Sequence, residues 1–241
     1  MHYAVISDVH ANLEALEAVL NDIEKRKIKD ILFLGDAVGY GPNPNECIEM
    51  LEACCKIMLA GNHDFAVLGF TDISRFNEYA RKAVEWTSAV ITEKNLNVLK
   101  ELPAVKVLKK ADMLLVHSTP KEPEEWHYLM TLWDAENNFN YFEQRICLLG
   151  HSHQPSIIER LPSGKMLTYK DNAELKKIER YIVNAGSVGQ PRDGDPRACY
   201  AVINGENVEI VRVKYDIQKT QKKMQNAGLS LLLIERLESG L

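Results

Sequence analysis

Short apolar runs that end in a glycine or a polar residue recur along the first part of the chain. The run Ile31–Leu34 has the length of a buried strand and is followed at once by Gly35 and Asp36. Between the first apolar run, at 3–6, and Ile31–Leu34, apolar residues recur at helical spacing and predict an amphipathic helix over about 12–27. This β-α-β order favours parallel strands joined by a right-handed crossover. The same patterns predict strands at 3–6, 57–60, 105–108, 113–116 and 146–149, a helix over about 44–53, and one or two helices over about 75–101.

The pattern becomes mostly strand-like after residue 153. Turn sequences such as Asn204-Gly205 separate short runs rich in β-branched residues, and a helix over about 216–227 precedes a second helical piece or a frayed end. No Ser/Gly-rich linker divides the chain. We therefore predict one α/β (α+β) domain over 1–241, made of two packed sheets with helices outside. Its parts are a β/α half (1–153), a mostly antiparallel half (154–215) and a C-terminal helix (216–241).

Composition excludes some classes of protein. The hydrophobic content of 46% and charged content of 26% are ordinary for a globular protein. A net charge of −5 without a strong basic stretch argues against binding to long nucleic acid. No apolar run has the length needed to span a membrane. The five cysteines form no CxxC pair and no signal peptide precedes the first strand, so a cytoplasmic protein with reduced thiols is expected.

Polar side chains that bind divalent cations follow these apolar runs. Ligands of open α/β sheets bind at the carboxyl ends of strands, where such residues would converge. A lone Asp there is usually a turn residue and a lone loop His is usually solvated, but five of the seven histidines occur in these motifs. The joint pattern predicts a two-metal centre in which Asp36 is shared. The candidate residues are Asp8, His10, Asp36, Asn62, His63, His117, His151 and His153.

His63 and Asp64 are candidate catalytic residues. His63 directly follows Asn62 and should approach the same phosphate without binding metal, as a general acid or proton donor. Asp64 is predicted to orient His63 through its second ring nitrogen. Imidazole, carboxylate and amide ligands without a thiolate suit Mn, Fe, Co, Ni or Zn better than Mg.

Taken together, these motifs resemble the signature of the calcineurin-like metallophosphoesterases. Residues 35–42 and 184–197 further resemble a prokaryotic branch of small cytosolic phosphodiesterases. The resemblance implies a four-layer α-β-β-α sandwich and hydrolysis of phosphomono- or phosphodiesters by a hydroxide that bridges two metals. It implies that His63 is the catalytic histidine. It assigns one metal to Asp8, His10, Asp36 and His153, and the other to Asp36, Asn62, His117 and His151.

Two segments are candidates for substrate binding. The aromatic segment 118–144, which contains Trp126, is predicted to lie over the site, although it could equally be a surface helix that buries its own aromatic residues. The turn 186–189 is predicted to approach a phosphate through its N–H groups, with Arg192 holding an oxygen or a second phosphate. In the alternative, this region is only a β-turn with salt bridges. Arg197 is expected to be structural.

These observations leave three functional hypotheses. The first is a metal-dependent phosphodiesterase that acts on small molecules, including nucleotides and dinucleoside polyphosphates. The second is a phosphomonoesterase of metabolites or phosphoproteins. The third is a non-catalytic scaffold, against which the intact ligand set and His63 argue. The sequence leaves the choice of metals and the oligomeric state open.

Overall fold

Two six-stranded sheets form the centre of the protein. The computed structural model describes residues 2–241, apart from the side chain of Arg75. The strands are β1 (His2–Ile6), β2 (Asp30–Phe33), β3 (Ile57–Met58), β4 (Val105–Leu108), β5 (Met113–Val116), β6 (Ile146–Leu149), β7 (Ser156–Arg160), β8 (Met166–Tyr169), β9 (Asn172–Glu174), β10 (Arg180–Asn184), β11 (Ala198–Asn204) and β12 (Asn207–Val213).

Both sheets are mixed, and both contain strands from the two halves of the chain. The first sheet has the order β3-β2-β1-β11-β12-β9 and the second has the order β4-β5-β6-β10-β7-β8. Parallel pairs β1–β2 and β5–β6 lie beside antiparallel pairs β1–β11 and β10–β7. The prediction of two packed mixed sheets is confirmed, whereas the division into parts of one domain stays a prediction.

Helices surround the sheets. They are α1 (Leu13–Lys25), α2 (Pro44–Cys54), α3 (Asn62–Val67), α4 (Glu78–Val90), α5 (Glu93–Lys100), α6 (Leu132–Asn138), α7 (Ile217–Asn226) and α8 (Leu231–Ser239). The side chain of Asn12 caps α1 by accepting a hydrogen bond from the Ala15 N–H, as predicted. None of the helices in residues 2–241 has the length and apolar character needed to cross a membrane. A cytoplasmic location stays a prediction.

The central strands are apolar throughout because both of their faces are buried. In β1, Ala4 and Ile6 pack into a core with α1 and α2, whereas Val5 packs into the core that contains Leu115 and Leu148 of the other sheet. This alternation follows from the two-residue repeat of a strand. Burial on both faces thus accounts for the continuous apolar runs in the sequence.

Some boundaries differ from the predicted ones. The one or two helices predicted over 75–101 are two, and the first begins at Glu78; the backbone is extended at Ile91 and Thr92 between α4 and α5. Strand β9 was not predicted, because its Asn-Ala-Glu sequence carries no apolar signal and pairing with β12 stabilises it instead. The two C-terminal helices share an apolar cluster with Tyr40 and α4.

Candidate metal centre and active site

The loops that follow β1, β2 and β6 carry the predicted ligands in an unusual backbone conformation. Five of these residues have φ values between 48° and 63°, and they are Asp8, His10, Asp36, His151 and His153. The left-handed region costs a non-glycine residue roughly 1–2 kcal/mol. Strain of this kind is concentrated at functional sites, where the surrounding structure enforces it. Here the Asp8 and His10 N–H groups each donate a 3.0 Å hydrogen bond to the loop after β2, at Gly35 and Asp36.

One group of candidate ligands contains Asp8, His10 and His153. All three residues are buried, and their ligand atoms lie within 4.8 Å of one another. His153 Nε2 lies 3.2 Å from Asp8 Oδ1 and 3.1 Å from His10 Nε2. Such close nitrogen and oxygen atoms form a cage that fits a divalent cation.

A second group contains Asp36, His117 and His151, with Asn62 beside it. His117 Nε2 lies 3.3 Å from Asp36 Oδ2 and 3.3 Å from Asn62 Oδ1. The same Asp36 Oδ2 atom lies 3.6 Å from His10 Nε2 in the first group. Asp36 therefore occupies the position between the groups that a shared carboxylate requires. The structure brings together all seven predicted metal ligands.

Backbone carbonyls determine which nitrogen of each histidine faces the cluster. A carbonyl oxygen only accepts hydrogen bonds, so the ring nitrogen beside it must carry the proton. In a neutral ring this leaves the other nitrogen free to bind a cation, namely Nε2 in His10, His117 and His153, and Nδ1 in His151. The pairs are His10 Nδ1–Val38 O (3.0 Å), His117 Nδ1–Leu34 O (2.9 Å), His153 Nδ1–Gln190 O (2.6 Å) and His151 Nε2–Trp126 O (2.9 Å).

The electrostatics of the cluster suit cations. Burial disfavours the charged form of Asp8, yet the nearby His153 imidazole lowers the pKa of Asp8 below its usual range. Its Oδ1 atom is buried without a hydrogen-bond partner among the described residues. Burial lowers the pKa of His151 to about 3, which keeps it neutral. Burial also favours the neutral form of His117, but the nearby carboxylate of Asp36 outweighs this effect and raises the pKa of His117 to about 9.

Asp64 supports the loop of Asp36 and not the ring of His63. Its carboxylate accepts hydrogen bonds of 2.8–3.2 Å from four main-chain N–H groups, those of Asp36, Ala37, Val38 and Gly61. His63 Nδ1 is buried and has no hydrogen-bond partner among the described residues. The predicted orientation of His63 by Asp64 is therefore wrong. Burial and the nearby charge of Asp36 raise the pKa of Asp64 to about 7, against the effect of its N–H partners.

His63 lies at the edge of the two ligand groups. Its main-chain N–H donates a 2.8 Å hydrogen bond to Asp36 Oδ1, and its ring centroid is 4.9 Å from that of His10. A ligand atom of its ring also lies within 4.8 Å of those of His10 and Asp36. Burial lowers the pKa of His63 to about 4, and the charge of Arg192 acts in the same direction. An anion bound beside the ring would oppose this shift.

A pocket of about 420 Å³ opens beside the candidate centre. We call it the aromatic pocket; its lining joins Asn62, His63 and His151 to Tyr40, Phe70, Phe76, Trp126 and Tyr128. The Trp126 ring is half-buried, with its centroid 5.3 Å from Phe65 and 6.0 Å from His117. Tyr128 stacks on His151 at 4.2 Å. Trp133 is 71% exposed and is not part of this lining.

The segment after β10 supports the ligand loops. In the turn 186–189, the N–H groups of Val188 and Gly189 donate to the carbonyls of Ser7 and Asp8 at 3.0 and 2.9 Å. The prediction that this turn meets a phosphate through its N–H groups is therefore wrong, because two of these N–H groups hold the loop after β1. Arg197 is paired with Asp195 at 3.0 Å, as expected for a structural residue.

Two residues near the centre were not assigned roles from the sequence. Tyr40 is buried, with its ring centroid 4.6 Å from that of His10 and 4.5 Å from that of His63. Gln190 accepts from His153 through its main chain and from Arg192 Nη2 through Oε1 at 2.8 Å. The only available signal was their position in the stretches 35–42 and 184–197, which resemble small phosphodiesterases.

The match to a known family agrees with this geometry. Residues 1–207 match the calcineurin-like phosphoesterase superfamily domain. The chain belongs to this superfamily. A calcineurin-like phosphoesterase is a metal-dependent phosphoester hydrolase, and the His/Asp groups described above could bind its metal ions. The matched residues end before α7 and α8.

Similar proteins extend over most or all of the chain. An uncharacterized protein of Methanocaldococcus jannaschii is 43% identical over 98% of this chain and 97% of its own length. The solved structure of a metallophosphoesterase from Sphaerobacter thermophilus is 40% identical, with a TM-score of 0.88 over 100% of this chain and 99% of that one. A symmetrical bis(5'-nucleosyl)-tetraphosphatase of Coxiella burnetii is 25% identical over 75% of this chain and 60% of its own length.

Proposed function

We propose that this enzyme uses two metal ions to hydrolyse phosphodiester or phosphoanhydride bonds in small nucleotide-containing substrates, dinucleoside polyphosphates among them. The observation that carries this proposal is the aromatic pocket, which opens directly onto Asn62, His63 and His151. A small phosphomonoester would leave most of that space unused. Phosphomonoester hydrolysis is the alternative.

The seven ligands would hold the two cations in two groups. Asp8, His10, Asp36 and His153 form one group, and Asp36, Asn62, His117 and His151 form the other. When bound, such a pair of metals polarises the phosphoryl group and lowers the pKa of bound water. The ligand types suit Mn, Fe, Zn, Co or Ni. The orphaned Asp8 Oδ1 supports this assignment, as do the four ring nitrogens that lie opposite the carbonyl-bound ones and face the cluster.

The catalytic roles fall to His63 directly and to Asp64 indirectly. His63 lies where the ligand groups meet the aromatic pocket, so its ring N–H would donate to an oxygen of the phosphate or of the leaving group. Asp64 places the loop that carries Asp36, through its four main-chain hydrogen bonds.

The walls of the aromatic pocket suit a nucleobase. A base stacked on an aromatic side chain contributes about 1–3 kcal/mol, and every base has such a face. Trp126 and Tyr128 lie next to the ligands His117 and His151, so a base stacked there would be one nucleotide away from the metals. The name of the Coxiella burnetii relative, a dinucleoside tetraphosphatase, agrees with this class of substrate.

The test compares three substrates on the Mn-loaded protein and two tryptophan variants. Trp126→Ala should raise KM for a dinucleoside tetraphosphate by roughly 5- to 150-fold, which corresponds to the stacking energy, and should affect bis(p-nitrophenyl) phosphate much less. Trp133→Ala is the matched control, because Trp133 belongs to the same segment but is 71% exposed outside the pocket. Equal effects of Trp126→Ala on both substrates would make the ring a structural element only.

The third substrate, p-nitrophenyl phosphate, distinguishes the proposal from the phosphomonoesterase alternative. Preference of the wild-type protein for p-nitrophenyl phosphate over both diester-type substrates would support the phosphomonoesterase hypothesis. Preference for the nucleotide substrate supports the proposal.

A further inference from the structure

Arg192 lies against the His153 side of the candidate metal centre with part of its guanidinium unpaired. Its main-chain N–H donates to His153 O at 3.2 Å, and its Nη2 donates to Gln190 Oε1 at 2.8 Å. Its Cζ lies 5.6 Å from the ring centroid of Tyr40, which also packs on His10. Its Nε is buried without a hydrogen-bond partner among the described residues. Arg192 is thus held beside the centre, and its Nε–H group is available to donate a hydrogen bond to a ligand.

The end of α8 brings a second arginine to this place. The Gly194 N–H donates to Gly240 O at 2.9 Å, which joins the loop after Arg192 to the end of α8. Leu237 lines a small space together with His10, Tyr40 and Gln190. Its neighbour Arg236 has one described side-chain hydrogen bond, from Nε to the main-chain oxygen of Leu241. Burial lowers the pKa of Arg236, and the positive charge of Arg192 acts in the same direction with a smaller effect.

The carboxylates nearest in sequence to Arg192 are paired with other arginines. Asp193 pairs with Arg212, and Asp195 pairs with Arg197. Among the described residues, neither Arg192 nor Arg236 forms an ion pair with an acidic side chain. Two partly buried guanidinium groups within electrostatic reach repel each other, and a bound anion would remove this cost.

We propose that Arg192 and Arg236 together form an anion subsite that holds a phosphate group next to the one being hydrolysed. The inference rests on the proposed function and deepens it. The substrate class becomes phosphoanhydrides with two or more phosphates, whose second phosphate lies on the His153 side while a base occupies the aromatic pocket. Guanidinium groups bind phosphate oxygens by paired, charge-assisted hydrogen bonds, which makes them suited to this role. The C-terminal helix α8 then supplies a specificity-determining residue.

A binding measurement tests the subsite without turnover. Inorganic pyrophosphate and inorganic phosphate are titrated by calorimetry into the Mn-loaded wild-type protein and its variants. Arg236→Ala should weaken pyrophosphate binding roughly 10- to 100-fold, as expected for lost charge-assisted hydrogen bonds, and Arg236→Lys should restore part of the affinity. Arg197→Ala is the matched control, because it removes one exposed positive charge from the same region.

The inference is overturned if Arg236→Ala weakens pyrophosphate no more than Arg197→Ala does, or if it weakens phosphate equally. Thermal unfolding and metal content are measured on each variant. If Arg236→Ala does not fold, the Arg236→Lys and Arg192→Lys proteins decide by the same comparison, since lysine keeps the charge but loses the paired geometry.

Kinetics separate this inference from the proposed function. In Arg236→Ala, the ratio of kcat/KM for a dinucleoside tetraphosphate to that for thymidine 5'-(p-nitrophenyl phosphate) should fall about 10-fold or more. Wild-type protein that hydrolyses neither substrate would contradict the proposed function, while the pyrophosphate titration would still decide the subsite. Active wild-type protein with an unchanged ratio in Arg236→Ala would overturn the subsite alone.

Discussion

In several side chains of the candidate centre, one polar atom forms a hydrogen bond with the backbone while another faces the ligand groups. His10 and His153 each direct one ring nitrogen to a carbonyl and the other to the neighbouring ligands. Asp36 accepts the His63 N–H through Oδ1 and directs Oδ2 toward both ligand groups. Preorganised ligands lose little conformational freedom when a cation binds. Substitutions at this scale should therefore separate metal binding from chemistry.

The geometry leaves His63 close enough to His10 and Asp36 to be mistaken for a ligand. His63→Ala should retain both metals, measured by elemental analysis, and lower kcat by roughly 10²–10⁴, the usual contribution of a positioned acid. The alanine variant removes the ring but leaves the main-chain N–H that Asp36 accepts. Loss of a metal with an unchanged kcat per metal-loaded enzyme would assign His63 to the ligands.

Asp64 should act through the position of Asp36. In Asp64→Asn, an amide NH₂ would replace one of the oxygens that accept four main-chain N–H groups, so at least one buried N–H group loses its partner. We expect a loss of about 2–4 kcal/mol in the free energy of unfolding, measured in urea, together with weaker metal binding. Asp134→Asn is the matched control, because Asp134 occupies the same capping position in α6 but is only partly buried, whereas Asp64 is fully buried. Equal costs for the two variants would contradict this role.

At the scale of elements, the C-terminal helices are attached to the N-terminal half by a buried carboxylate. Glu14 of α1 is 5% exposed, and its Oε1 lies 2.6 Å from Lys223 Nζ and 3.2 Å from Lys219 Nζ of α7. The hydroxyl of Thr220 donates to Glu14 Oε2 at 3.2 Å. Since α8 packs on α7 and on Tyr40, this contact also supports the position of Arg236.

The ionisation of Glu14 should make part of the free energy of unfolding depend on pH. Burial opposes ionisation, but the hydrogen bond from Lys223 and the one from Lys219 lower the pKa of Glu14 below its ordinary value. Its carboxylate therefore stabilises the fold above the unfolded-state pKa of about 4.3, and this contribution is lost as the pH falls through the lower folded-state pKa. Glu14→Gln should cost about 1–3 kcal/mol at pH 7 and less at pH 3, measured by urea unfolding at both values.

The control for Glu14 is Glu78→Gln, which removes an exposed pair with Lys82 on α4 and should have little effect at either pH. A cost of Glu14→Gln that is the same at pH 7 and pH 3 would show that the charge of Glu14 does not matter.

At the scale of the whole molecule, the candidate centre joins parts of the chain that are far apart in sequence. Its ligands follow strands of both sheets, namely β1, β2 and β3 of the first and β5 and β6 of the second. Bound metal should consequently stabilise the entire fold and not one loop.

Removal of metal should lower the unfolding temperature. A ligand present at 100 times its Kd stabilises the folded state by about 2.7 kcal/mol, which corresponds to roughly 5–10 °C for a chain of this size. We expect this difference between Mn-loaded and chelator-treated protein in a thermal scan, and a smaller one in Asp36→Asn, which weakens the shared ligand. Identical unfolding temperatures with and without chelator in the wild-type protein would argue against the metal centre.

The sequence by itself determined most of the strands and helices and the identity of the candidate ligands. Continuous apolar runs such as Ile31–Leu34 predict strands buried on both faces, and the polar residues after them must lie at the ends of those strands. These are local consequences of spacing and burial. A short strand such as β9 escaped prediction because its stability comes from its pairing with β12.

Only the tertiary structure decided which polar groups meet. His10 and His153 are 143 residues apart in sequence, and their contact depends on how both sheets are assembled. The same holds for the four N–H groups at Asp64 and for the carbonyl of Trp126 that selects the nitrogen of His151. Spacing along the chain specifies which residue types are available, whereas hydrogen-bond partners are specified by atoms within about 3 Å, and those are set by packing between distant segments.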